Sequence, residues 1–65
     1  MIFIYRIIER DMVNDERMIV WERSFTKETA AEVTKSAMRV LNSYRNDRSK
    51  AQRYAYSLWE DIKEA

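Results

Sequence analysis

The reading of the chain's second half turns on one stretch, Asn46-Asp47-Arg48-Ser49-Lys50-Ala51-Gln52-Arg53-Tyr54-Ala55-Tyr56-Ser57-Leu58-Trp59. Its first four residues combine a helix-ending signal with a helix-starting one. Asn46 can close a helix in the left-handed conformation. Asp47 or Ser49 can cap the next helix, and Ser49 with Gln52 makes a capping-box pattern. On this reading a second helix runs over 47–65, with Ala51, Ala55, Leu58 and Ile62 on its inner stripe. Tyr54 and Trp59 widen that stripe, and Tyr56 falls on the outer side. The competing reading is one helix over 27–64, because Ala37, Leu41, Tyr44, Arg48, Ala51, Ala55, Leu58 and Ile62 keep a heptad-like step. Such a helix is about 57 Å long, too long for a small hairpin to cover, and it requires a coiled-coil-like dimer. The broken form is the preferred reading.

Upstream, a helix is expected over 26–46. Thr26 can act as N-cap, with Phe25 and Ala30 placed for a hydrophobic staple, and Thr29-Ala30-Ala31-Glu32 offers a capping box slightly later. Ala30, Val33, Ala37, Val40, Leu41 and Tyr44 recur at three and four, which defines one apolar helix face. Lys35, Arg39 and Asn42 lie opposite.

Residues 1–25 read as a β-hairpin. Ile2, Phe3, Ile4, Tyr5, Ile7 and Ile8 are β-branched or aromatic, as are Ile19, Val20, Trp21 and Phe25, and Asn14-Asp15 can take the turn. A two-residue loop pairs Ile8 with Trp21 and Ile4 with Phe25. Both faces of the hairpin then carry apolar side chains, whereas a strand half-buried against helices should alternate cleanly. The expected architecture is α+β, a β-hairpin followed by two α-helices (ββαα), in a single domain over 1–65. A chain of 65 residues is near the size at which a lone core is marginal, so a homodimer is expected.

Composition removes several function classes. The chain has no His, Cys, Gly or Pro. Without Cys there is no disulfide framework, thiol nucleophile or thiolate metal site. Without His the usual general base near neutral pH is missing. Without Gly neither a dinucleotide fingerprint nor a phosphate-cradling loop can form. No catalysis, cofactor or metal is expected. Glu28 with Glu32, and Glu60 with Glu64, stand one helical turn apart on this reading, and they have the look of solvent-facing pairs. No apolar run is long enough to cross a bilayer, and residues 1–8 lack the features of a signal peptide; a cytoplasmic protein is expected.

Two binding readings remain. The two-faced hairpin, with enough helix to cover one face only, favours a protein partner or self-association. Phe3, Tyr5, Ile7, Met18, Val20 and the off-stripe Tyr56 are the candidate contacts, while Trp21 and Trp59 are expected to be largely buried. The function expected on this basis is a small inhibitor or adaptor. The alternative is nucleic-acid binding. Residues 35–53 carry six cations (Lys35, Arg39, Arg45, Arg48, Lys50 and Arg53) against Asp47 alone, a local net of +5. Tyr44 and Tyr54 interleave them, a combination suited to phosphate contact and base stacking.

Overall fold

The computed structural model describes residues 1–63. The elements are β1 (Ile2–Asp11), β2 (Arg17–Phe25), α1 (Ala30–Asn46), the one-turn helix α2 (Arg48–Ala51) and β3 (Tyr54–Lys63). The sheet is antiparallel with order β2-β1-β3. The ββαα expectation is therefore corrected. The region assigned to a second helix over 47–65 holds four helical residues and then a ten-residue strand, and neither the two-helix nor the single-helix form is adopted.

The cause is a competing periodicity. Tyr54, Tyr56 and Leu58 alternate, and all three reach the core around Ile7 and Leu41. A helix would send Tyr56 outward and lose that burial. The strand also gives β1 a second neighbour, with unbroken pairing from Ile2↔Lys63 to Asp11↔Tyr54. Tyr, Trp and Ile suit a pleated surface better than the local capping signals suggest.

Asp47 does cap α2, accepting from the amides of Ser49 and Lys50 at 3.1 and 3.3 Å and from the Ser49 hydroxyl at 2.7 Å. These bonds hold its carboxyl below the usual range. Asn46 does not take the left-handed conformation; among the described residues the one positive φ outside glycine is Asp15, at 62°. The first helix begins at Ala30, later than expected, with Thr29 as its cap residue. Thr26 instead closes a turn with Thr29, whose hydroxyl accepts from the Thr26 amide at 3.1 Å.

The hairpin register differs from the two-residue-loop expectation. Met12 to Asp15 bridge Asp11 and Glu16, closed by the Asp11 amide on the Glu16 carbonyl at 2.8 Å. Asp11 also accepts from the Val13 amide at 2.9 Å, and Asn14 from the Glu16 amide at 3.0 Å. Pairing runs Arg10↔Arg17 and Ile8↔Ile19, then slips at a bulge so that Ile7 faces Trp21 and Phe3 faces Phe25. The extra residue, Val20, lets both Val20 and Trp21 pack on the core. Trp21 thereby faces Ile7 rather than Ile8, and Phe25 faces Phe3 rather than Ile4.

The helix α1 lies on this side of the sheet. Val33, Ala37 and Leu41 are buried along it, Leu41 meets Ile7 and Tyr56, and the Tyr5 hydroxyl bonds the Thr34 hydroxyl at 3.1 Å. Phe25 stacks between Phe3 and Tyr5, with centroids 5.4 and 4.5 Å away. The molecule is 10 Å across its thinnest axis, the depth of one helix on one sheet. Among the described residues no helix or strand is layered on the other sheet face.

Candidate functional site

Strand alternation places the even-numbered residues of β1 on the face away from α1, with their partners from β2 and β3 beside them. Beside the Ser24-Ile4-Asp61 row, whose Ile4 is buried, three cross-strand rows make up this face from Arg6 to Arg10. The first is Glu22-Arg6-Trp59, the second Ile19-Ile8-Ser57, and the third Arg17-Arg10-Ala55. In the first row Arg6 donates through Nε to Glu22 at 2.7 Å and through Nη1 to Asp61 at 3.3 Å. Glu22 is the largest influence raising the Arg6 pKa. In the third row Arg10 reaches Asp15 at 3.4 Å. The middle row is apolar, with Ile8 half-buried and Ile19 exposed.

Trp59 is 60% exposed. Its indole N–H donates to the Ser57 hydroxyl at 2.8 Å, which ties the ring down along its own strand. A shallow depression runs from Trp59 past Arg6 and Ile8 to Ile19 and Arg17. A second hollow, floored by Ala55 and Ser57, lies between Trp59 and Arg10. The face can offer an aromatic anchor, aliphatic contact and both signs of charge.

Of the six residues expected to meet a partner, Met18 borders the depression and the other five lie elsewhere. Ile7 is fully buried and Tyr56 is 5% exposed, so Tyr56 is not the outer residue that helical spacing placed it as. Phe3 and Tyr5 are half-buried against Phe25, and Val20 packs on the core. Met18 alone of the six is well exposed. Trp59 reverses its expectation in the other direction, standing out where burial was anticipated. Had residues 54–63 been read with a period of two, Trp59 would have fallen opposite Tyr56 and Leu58.

The basic stretch is dispersed. Arg53 clasps Asp11 through Nε at 3.0 Å and Nη2 at 2.9 Å, and it lies over the Tyr54 ring. Lys50 sits 5.0 Å from the Tyr44 ring centroid, and Tyr44 stacks on Tyr56 at 4.7 Å. Arg45 donates to the Tyr56 carbonyl at 2.8 Å. Lys35, Arg39 and Arg48 are exposed and make no side-chain bond among the described residues. Of the two carboxylate pairs, Glu28 precedes α1 and Glu64 lies outside the described residues. Among the described residues no helix is long and apolar enough to cross a membrane.

Comparison with protein-family models, with curated proteins and with solved structures finds no match to this chain.

Proposed function

We propose that this protein is a non-catalytic interaction module, of inhibitor or adaptor type, that binds a macromolecular partner on the uncovered sheet face. The observation that carries this reading is Trp59, exposed on a strand yet fixed by Ser57, with Ile8 and Ile19 beside it. Trp and Arg are the side chains that most often dominate interface energies, and Arg6 and Arg17 flank the same depression. Trp59 and Ile19 are both well exposed on this face, and contiguous exposed apolar surface is a mark of interaction sites.

Affinity capture from lysate, with the wild-type chain and Trp59→Ala in parallel, tests it. A partner held by the wild type and lost with Trp59→Ala supports the reading, given an unchanged circular dichroism spectrum. A partner retained by Trp59→Ala overturns it. Nucleic acid remains the alternative partner class. With Arg45, Lys50 and Arg53 engaged within the molecule, that reading leans on Lys35, Arg39 and Arg48. Capture that is abolished by nuclease and falls steeply with salt would favour it.

A further inference from the structure

We propose that a second copy of this chain occupies the uncovered face, docked about a two-fold axis that runs between the sheets, across the strands at Ile8. This rests on the reading that the face is a docking surface, and it names the occupant. The argument is one of charge and shape along the three rows. Arg6 with Glu22 and Asp61 sums to −1. Arg10 with Arg17 sums to +2, reduced to +1 where Asp15 reaches Arg10. The two groups stand four residues apart on β1, about 13 Å, with Ile8 midway.

A rotation about that axis lays the Arg10 row of one copy on the Arg6 row of the other, and by symmetry does so twice. On β2, Arg17 comes over Glu22 of the second copy, and Ile19 meets Ile19. On β3, Trp59 comes over Ala55 of the second copy. The bulkiest side chain of the face thus meets the hollow floored by its smallest, with an Arg10 guanidinium beside it to pack on the indole. On β1, Arg10 approaches an Arg6 already neutralised by two carboxylates.

The alternatives are poorer. Rotation about an axis along β1 exchanges β2 with β3, which sets Arg10 on Arg10 within the positive row, Arg17 over Ala55 and Trp59 over Glu22 rather than over a hollow. Edge-to-edge pairing through β3 is obstructed. The Met12 amide bonds the Arg53 carbonyl, and the unbroken register then turns the Tyr56 carbonyl away from β1. That outward carbonyl is the one Arg45 occupies. The direct opposition of Arg10 and Arg17 on one pair of strands is unfavourable in a lone copy and is relieved by the carboxylates of the second. Three strands about 4.8 Å apart and about eight residues long give a footprint of roughly 14 by 26 Å. That is below the standard interface size, so the dimer is a weak one.

Sedimentation equilibrium of the full chain tests this, with wild type, Arg17→Glu, Glu22→Arg, the double variant and Trp59→Ala. The wild type is expected to dimerise at micromolar to submillimolar concentration, and less so in high salt. Arg17→Glu and Trp59→Ala should each weaken the dimer about tenfold, and the double charge swap should recover most of the Arg17→Glu loss. Arg17 and Glu22 are too far apart to pair within one copy, so recovery reports the contact between copies. A wild type that stays monomeric to about 1 mM overturns the proposal, as does a dimer indifferent to Arg17→Glu and Trp59→Ala. A monomer that still captures a foreign partner through Trp59 would leave the reading of the face standing and remove the second copy from it.

Discussion

Asp11 shows how one side chain can fix a loop and join two strands. One oxygen takes the Val13 amide and the other takes two nitrogens of Arg53, 42 positions away. The Arg53 hydrogen bond, then the Val13 amide, holds the Asp11 carboxyl below its ordinary value of 3.8. The sign follows: the unfolded chain takes up this proton first as pH falls. The stabilisation is complete above about pH 4 and is lost as pH drops through the folded-state value. Asp11→Asn is expected to lower the urea midpoint at pH 7 and to flatten the acid limb of the stability profile below pH 4, measured by chemical denaturation across pH. An acid limb unchanged from wild type would show that Arg53 contributes nothing there. Tyr56 acts oppositely. Burial first, then its bond to Glu9 at 2.8 Å, pushes the phenol far above its ordinary 10.0. Its contribution is present below pH 10 and declines above it, where the unfolded chain ionises.

At the scale of the element, β3 carries the lesson. Its register turns the Ser57 amide toward β1 and the Glu60 amide toward the free edge. Ser57→Pro is therefore expected to break a ladder bond in the sheet and lower the thermal midpoint by more than about 5 °C. Glu60→Pro should cost far less. Melting curves of the two variants check this, and equal damage would contradict the strand register. The apolar spacing of α1 and the β-branched runs of β1 and β2 were legible, because one periodicity dominates in each. In residues 54–62 two periodicities overlap. Ala55, Leu58 and Ile62 satisfy a helix, while Tyr54, Tyr56 and Leu58 satisfy a strand, and only the long-range partner β1 settles which burial is larger. The bulge at Val20 was not legible either. It follows from the loop at Met12 to Asp15 and from Trp21 and Phe25 both reaching the core, a three-dimensional fit that local spacing does not encode. The candidate site was missed for the same reason: without β3, Trp59 has no sheet face to stand on.

For the whole molecule, the single layer of contact between α1 and the sheet sets the stability. Leu41 joins Ile7 and Tyr56 at its centre. Leu41→Ala is expected to cost about 2–5 kcal/mol, comparable with the few kcal/mol that a core of this size supplies. Calorimetry or thermal circular dichroism should show the cooperative transition lost or moved near room temperature. A midpoint within a few degrees of wild type would mean that the helix is held chiefly by its ends, through Thr34 and Arg45.

The central position of β1 has a consequence for synthesis. Its partner on one edge, β2, is made at once, but Asp11 waits 43 residues for Tyr54 and Ile2 waits 61 for Lys63. At ordinary ribosomal speed that interval is roughly 2–12 s. For those seconds the amides and carbonyls that β1 turns toward β3, on alternate residues from Ile2 to Arg10, have no mate, so the nascent chain passes through a window in which a chaperone, or a neighbouring chain on the same message, can reach it first.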